Sequence, residues 1–171
     1  MRKAKETEGG GMLKAIPKTW SYTFSVMDGT ECVAEALNRS WWKDKAELRI
    51  HGDRYTARRE KGAYVLESAA GVLARANQPR KLHRALVVEH SGRQYTLRAK
   101  SAFRREFLLF DRCLPIGSIA PEGMFTRRAE VNLPPTWPLA VRVFVIWLTM
   151  TMWKHADEAA AAGAIVVTVT G

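Results

Sequence analysis

Apolar and polar residues alternate along most of the chain between Lys18 and Pro135. In the segment 20–26, aromatic and aliphatic residues alternate with serine and threonine, as in a strand with one buried face. Turn-forming pairs such as Asp28–Gly29 and Ser91–Gly92 interrupt this alternation about every 10 residues. The pattern predicts roughly 10 to 12 short antiparallel strands.

Leu139–Trp153 has a different pattern, because it is apolar around its whole circumference. A helix on a protein surface has one apolar stripe and one polar face, and this segment has no polar face. Thr136 is a suitable N-cap and Pro138 suits the first turn, so we predict a helix over residues 138–155. Such a helix must be surrounded either by lipid or by protein.

A protein environment fits this helix better than a bilayer does. A spanning helix needs about 20 apolar residues, whereas this run is shorter and contains Arg142. The helix is about 27 Å long, which matches the length of a strand of about 6 to 8 residues. We therefore predict a mainly β fold, a closed antiparallel barrel of about 10–12 strands that encloses one hydrophobic C-terminal α-helix. A tail-anchored membrane protein with residues 139–153 in lipid is the alternative.

The prediction divides the chain into a barrel and a tail at each end. Residues 1–17 are predicted to form a disordered basic tail. We predict no signal peptide, because 1–11 lacks an apolar core segment. The barrel is assigned to residues 18–155 and a C-terminal tail to 156–171. Residues 165–170 within that tail favour β structure, and we leave open whether they join a sheet edge or are disordered.

A series of short motifs leads up to the predicted helix: Tyr64–Leu66, Gly71–Ala74, Tyr95–Leu97, Phe107–Leu109, Ile116–Ile119 and then Phe144–Trp153. In this order of elements the chain resembles the tubby C-terminal-like superfamily, near its LURP-one-related and phospholipid-scramblase-like branches. The resemblance covers residues 20–155 and implies a barrel of about twelve strands around a hydrophobic helix. Because members of the tubby branch bind phosphoinositides, it also implies a lipid headgroup as ligand. The proline-rich and calcium-binding segments of scramblases are not evident, so lipid scrambling is not implied.

The net charge of +10 indicates an anionic partner, such as a membrane surface or nucleic acid. Basic residues recur at or near the predicted turns, where several can gather at one end of a barrel. An anionic lipid surface attracts each nearby basic residue by about 1 kcal/mol, and arginine binds phosphate with two parallel hydrogen bonds. The candidate ligands for lipid phosphate are Arg58, Arg59, Lys61, Arg80, Lys81, Arg84, Arg104, Arg105, Arg127 and Arg128. The competing interpretation is that these residues only keep the outer face of the barrel soluble.

Nucleic-acid binding by the same basic surface is the alternative from another functional class. It favours aromatic side chains exposed between basic residues as stacking platforms, whereas most aromatic residues here fall on predicted core faces. Trp41–Trp42 is interpreted as one indole in the core and one at the rim. Insertion of this pair into a membrane interface is the alternative.

The sequence contains no arrangement typical of a catalytic or metal site. The histidines lack His-x-x-x-His spacing, and Cys32 and Cys113 match no metal-ligand pattern. We interpret both cysteines as buried thiols, which fits a reducing cytoplasm. The sequence therefore predicts a non-enzymatic, monomeric, cytoplasmic protein without a cofactor, with peripheral attachment to the inner face of the membrane as a further option.

Overall fold

The computed structural model describes residues 12–18, 23–38, 44–79, 84–101, 104–123 and 126–167, with side chains described as far as Gly163. The elements follow one another as β1 (Leu13–Pro17), β2 (Phe24–Asp28), β3 (Glu31–Asn38), β4 (Lys45–Ile50), β5 (Asp53–Glu60), β6 (Ala63–Ser68), β7 (Gly71–Asn77), β8 (Ala85–His90), β9 (Arg93–Ala99), β10 (Phe107–Asp111), β11 (Leu114–Pro121), β12 (Ala129–Asn132) and α1 (Leu139–Val167).

The strands form one closed antiparallel barrel in which each strand pairs with its neighbours in the sequence. β12 closes the barrel against β1, with Val131 opposite Leu13 and Ala129 opposite Ala15. Closure leaves no strand edge unpaired along the sheet. The predicted fold class, a closed antiparallel barrel with one C-terminal helix, is confirmed.

The alternation of the strands divides the barrel wall into an inner and an outer face. Leu48, Leu66, Leu97 and Phe107 are examples of inward side chains that are completely buried. Many other inward positions hold alanine, which leaves room for a helix inside the barrel: Ala15, Ala34, Ala36, Ala46, Ala57, Ala74, Ala76 and Ala129.

The helix α1 occupies the interior of the barrel. All side chains from Val141 to Thr149 except Arg142 are buried, and the Trp147 indole packs edge-on against Tyr64 with ring centroids 5.8 Å apart. These side chains contact the strands of the protein itself. The alternative in which residues 139–153 lie in lipid is therefore contradicted.

The helix is longer than the predicted 138–155, because it continues to Val167. Residues 159–162 are all alanine, the strongest helix former, and they extend the helix where no packing is needed. The segment 156–171 is therefore not wholly a separate tail, and its first part is the projecting end of α1.

Two further predictions need correction. β1 lies within residues 1–17, which were assigned to a disordered tail, and it supplies the strand that closes the barrel. Cys32 and Cys113 are exposed free thiols rather than buried ones. Cys32 is at the start of β3 and Cys113 is in the turn after β10, so both lie where strands end.

Because neighbouring strands are antiparallel, the connections fall into two groups at opposite ends of the barrel. The two-residue turns after β2, β4, β6, β8 and β10 lie at one end, which we call the turn end. The connections after β1, β3, β5, β7, β9 and β11, most of them longer, lie at the other end, which we call the loop end. The helix begins at the turn end after β12 and leaves the barrel at the loop end.

Candidate functional site

The described candidate residues for phosphate binding all lie at the loop end of the barrel. Arg58 and Arg59 end β5, Lys61 is in the turn that follows, and Arg84 directly precedes β8. The connection after β9 holds Arg104 and Arg105, and the connection after β11 holds Arg127 and Arg128. Arg80 and Lys81 are outside the described residues, as are Trp41 and Trp42.

Neighbouring arginines in a strand have separate surroundings, as the alternation of side chains requires. Arg58 forms ion pairs with Glu67 and with Glu60 on the outer wall of the barrel. Arg59 instead lies over the Tyr64 ring and approaches Asp44, with 3.8 Å between the Arg59 Nη1 and Asp44 Oδ2 atoms. Of this pair, only Arg59 faces the mouth of the barrel.

A small pocket lies at the loop end, beside the point where α1 leaves the barrel. Its apolar walls come from Pro17, Phe24, Met150 and Trp153, and its charged groups come from Arg105, Arg127, Lys154 and Asp157. The cavity volume is about 30 Å³, far below the about 300 Å³ that a small-molecule site usually needs. The pocket therefore has room for a small terminal group only.

The helix residues of the pocket share one face of α1. Met150, Trp153, Lys154 and Asp157 are spaced three or four residues apart, which aligns their side chains along the helix. The buried part of α1 fixes the position of this face, because the helix cannot rotate within its packed barrel. The pocket is thus built by the core and completed by the loops.

Arg105 is held in place by three contacts with α1. Its Nη2 atom lies 3.2 Å from Asp157 Oδ2, and its guanidinium lies over the Trp153 indole at 5.0 Å from the ring centroid. The Trp153 Nε1 group donates a hydrogen bond to the backbone carbonyl oxygen of Arg105 at 2.8 Å. Both the backbone and the guanidinium of Arg105 are therefore positioned before any ligand binds.

Arg84 lies close enough to this cluster to interact with it electrostatically. Its guanidinium packs over the Phe107 ring at 5.5 Å from the centroid. Burial and the positive charge of Arg105 lower the pKa of Arg84, while the charge of Asp157 opposes this change. The positive charges of Arg84 and Arg105 therefore repel each other, and the negative charge of Asp157 partly offsets this repulsion.

The loops that carry Arg105 and Arg127 are closed by backbone hydrogen bonds. The Lys100 amide donates to the Glu106 carbonyl at 2.8 Å, and the Glu122 amide donates to the Arg128 carbonyl at 2.9 Å. Each bond joins the two ends of its connection, so the basic residues stand on short closed loops. This arrangement restricts the positions that the arginine side chains can reach.

A second charged group surrounds the carboxylate of Asp44 and shares Lys154 with the pocket. Lys154 Nζ is 3.9 Å from Asp44 Oδ1, and His155 Nε2 is 3.2 Å from the same oxygen. Burial has the largest single effect and would raise the pKa of Asp44. The hydrogen bond with His155 and the positive charges of His155, Lys154 and Arg59 outweigh burial, so the pKa of Asp44 is lowered.

The turn end differs from the loop end in both charge and polarity. Its described charged residues are of both signs and include Asp28, Glu31, Asp53, Arg54, Glu89, Arg93, Asp111, Arg112 and Arg142. The large apolar side chains that are exposed in the described residues, Met12, Val72, Leu73 and Leu114, also lie at this end. The excess of positive charge is thus confined to the loop end.

Sequence reasoning missed three residues of the site: Asp44, Lys154 and Asp157. The helical spacing of Met150, Trp153, Lys154 and Asp157 was available in the sequence. This spacing could not be assigned to one helix face as long as the helix was predicted to end at residue 155, because Asp157 lies beyond that point.

Within the described ranges, no cluster of three or more histidine, cysteine, aspartate or glutamate side chains is placed to hold a metal ion. Over the same ranges, no helix has the length and apolar content that crossing a membrane requires. Comparison of the chain with protein-family models, curated proteins and solved structures gave no match.

Proposed function

We propose that this protein is a non-catalytic binding module whose loop end binds the headgroups of anionic phospholipids. The observation that carries the proposal is the unequal distribution of charge between the two ends of the barrel. Exposed Arg59, Lys61, Arg104, Arg127 and Arg128 stand at the loop end, together with the half-buried Arg84 and Arg105. The turn end holds acidic and basic residues in similar numbers.

The shape of the loop end suits a surface better than a small molecule in solution. The basic residues stand on separate connections around the mouth of the barrel, and the pocket among them is small. A lipid surface offers many phosphates in one plane, and each basic residue near it contributes about 1 kcal/mol of attraction. Several moderate contacts then add up to useful affinity without one deep pocket.

We also propose that the chain is a member of the tubby C-terminal-like superfamily. The support is architectural, since twelve sequential antiparallel strands close around one hydrophobic C-terminal helix. This is the arrangement that the motifs Gly71–Ala74 and Ile116–Ile119 imply through their resemblance to that superfamily. Phosphoinositides are therefore among the anionic lipids to test first.

We further propose that the protein acts as a monomer in the cytoplasm and attaches peripherally to the inner face of the membrane. That face carries the anionic lipids that attract basic protein surfaces. Attachment through the loop end would leave the turn end directed away from the lipid.

Co-sedimentation with vesicles tests the lipid proposal. We expect the protein to pellet with anionic vesicles but not with neutral ones, and to be released by salt because screening weakens surface attraction. The double variant Arg104→Gln/Arg128→Gln should bind anionic vesicles roughly thirty-fold more weakly, which corresponds to about 2 kcal/mol. The matched control is Arg54→Gln/Arg112→Gln, which removes the same charge from the turn end and should change binding far less.

The lipid proposal fails if anionic vesicles do not pellet the protein at low salt, or if the two double variants weaken binding equally.

DNA and RNA shift assays at several salt concentrations should be run in parallel with the vesicle assay, because nucleic acid is the competing anionic partner. Among the described residues, no aromatic side chain is exposed beside the basic groups as a stacking platform. We therefore expect weak nucleic-acid binding without a base preference.

A further inference from the structure

The helix α1 continues well beyond the loop end of the barrel. Arg105 marks the level of the connections there, because its Nη2 atom lies 3.2 Å from Asp157 Oδ2. Residues 158–167 follow in the same helix and add about 15 Å at 1.5 Å per residue. All residues from Asp157 to Gly163 are exposed. The helix therefore projects from the end of the barrel that carries the basic residues.

The projecting part of α1 has no charge beyond Glu158. Residues 159–167, which we call the uncharged end of α1, contain only alanine, glycine, isoleucine and valine. The alanines at 159–162 favour the helix, and residues 165–167 are all large and apolar. Apolar residues at the end of a projecting helix are stabilised when they leave water. At about 14 Å, the uncharged end is shorter than half of a bilayer core, so it suits entry into one leaflet.

The proposed attachment of the loop end to lipid requires a place for this projection. A helix end that extends about 15 Å would hold the basic connections away from a flat lipid surface by more than the Debye length, about 8 Å at physiological salt. The attraction between Arg105 and lipid phosphates would then be largely screened. If the uncharged end enters the bilayer, it crosses a headgroup region of about 5–8 Å and brings the basic residues to the phosphates.

The base of the projection carries charges of both signs. Asp157 is paired with Arg105, and Glu158 Oε1 lies 3.9 Å from Lys154 Nζ. Since Lys154 Nζ also lies 3.9 Å from Asp44 Oδ1, its charge is shared between two carboxylates. The attraction to anionic lipid therefore comes from the exposed arginines of the surrounding connections, and the uncharged end contributes an apolar contact beside them.

We propose that the uncharged end of α1 inserts into the bilayer interface when the loop end binds anionic lipid. The inference rests on the proposed function and adds the mode of attachment to it. Binding of an apolar segment at a membrane surface increases with the apolar area that it buries and with the attraction to anionic lipids. The apolar part is short and the basic contacts are exposed, so neither contribution is large by itself. Attachment then requires both.

The test compares two double variants in the full chain. Ile165→Gln/Val166→Gln makes the uncharged end polar, while the helix is retained because glutamine has a higher helix propensity than isoleucine or valine. Met12→Gln/Leu114→Gln is the matched control, since it removes two exposed large apolar side chains at the turn end. Both are measured by co-sedimentation at low salt with vesicles of phosphatidylserine and phosphatidylcholine.

We expect Ile165→Gln/Val166→Gln to bind these anionic vesicles about tenfold more weakly than the unchanged protein, which corresponds to about 1.4 kcal/mol. The control should bind like the unchanged protein.

A polarity-sensitive fluorophore measures insertion directly. It is attached to the new thiol of Val167→Cys in Cys32→Ser/Cys113→Ser, and should report an apolar environment when anionic vesicles are added. The same label on the exposed Cys113 of Cys32→Ser should not respond.

The insertion is overturned if both double variants bind anionic vesicles like the unchanged protein, or if the label at residue 167 stays in water on bound vesicles. The lipid proposal then stands without it. If Arg104→Gln/Arg128→Gln binds normally while Ile165→Gln/Val166→Gln does not, insertion stands and the headgroup site fails.

Two further outcomes would also contradict insertion. If sedimentation velocity without lipid shows a dimer that Ile165→Gln/Val166→Gln dissociates, the uncharged end packs against a second copy of the chain. If the unchanged protein binds no anionic vesicle at low salt, both the insertion and the lipid proposal fail.

Discussion

At the scale of single residues, Gly117 shows how closely the chain packs where it leaves the barrel wall for the helix. A Cβ atom at this position would lie 2.7 Å from the Asn132 carbonyl oxygen and 3.3 Å from the Leu133 Cα atom. Both neighbours are backbone atoms and cannot move aside as a flexible side chain would. Glycine is therefore required by a close approach rather than by a turn.

We expect Gly117→Ala to lower the free energy of unfolding by about 1–3 kcal/mol, the usual cost of overpacking a rigid contact. The control is Gly123→Ala, whose added Cβ would meet only the Thr126 methyl group at 3.4 Å. Urea denaturation of both variants measures the difference. Equal stability of the two variants would show that the contact around Gly117 relaxes freely.

Asp44 makes the stability of the protein depend on acidic pH. Its pKa in the folded state is lowered below that of the unfolded chain, about 3.9 for aspartate. The charged form therefore stabilises the fold above that value, and the contribution is lost as the pH falls through the folded pKa. We expect the free energy of unfolding to fall between about pH 5 and pH 3, and to fall less in Asp44→Asn.

Asp44→Asn should also lower the free energy of unfolding at neutral pH by about 1–3 kcal/mol. The reason is that it removes the negative charge of Asp44 beside the buried Lys154 ammonium. Asp53→Asn is the matched control, since Asp53 is exposed at the turn end. Urea titrations at pH 7 and pH 3 give both quantities. A pH dependence that is identical in Asp44→Asn and Asp53→Asn would contradict the role of Asp44.

At the scale of elements, the helix and the barrel wall are fitted to each other by side-chain size. The α1 backbone approaches β3 and β4 closely, and these strands present the alanines Ala34, Ala36 and Ala46 to the interior. Strands with larger inward residues, such as Phe107 and Leu109 of β10, fill the remaining space. A wall of small residues therefore defines where the helix lies.

We expect Ala36→Leu to destabilise the protein by about 1–3 kcal/mol or more, because the added side chain has no space between β3 and α1. Ala70→Leu is the control, since Ala70 lies exposed in the turn after β6. Thermal unfolding followed by circular dichroism compares the two. If Ala36→Leu is as stable as the unchanged protein, the helix is not packed tightly against this wall.

An element can be predicted from the sequence when its pattern is local, and it is missed when it depends on pairing with a distant segment. The strands and the core part of α1 were predictable, because alternation and an apolar circumference are local patterns. β1 was missed because its alternation, Leu13–Lys14–Ala15, is short and follows a polar segment. Its assignment depends on pairing with β12, more than one hundred residues away in the chain.

At the scale of the whole molecule, the order of connections separates charge between the two ends. The candidate basic residues lie near predicted turns in the sequence. In the closed antiparallel barrel, the connections that carry them all lie at the loop end. The pairing of Arg105 with Asp157 was not predictable, because it depends on where the helix leaves the barrel beside the connection after β9. The charge of the site was therefore visible in the sequence, but its geometry was not.

The orientation of the protein on a membrane tests the central claim, that the loop end is the lipid-binding surface. Cys113 lies exposed at the turn end, and Ser101 lies exposed at the loop end. A fluorescent donor is attached either to Cys113 in Cys32→Ser, or to the new thiol of Ser101→Cys in Cys32→Ser/Cys113→Ser. Acceptor headgroups are placed in anionic vesicles, and energy transfer is measured at low salt.

A strand of about eight residues separates the two ends by about 25 Å, so the two donors report clearly different distances. We predict stronger energy transfer from the donor at residue 101 than from the donor at Cys113. Equal transfer from both positions, or stronger transfer from Cys113, would contradict attachment through the loop end.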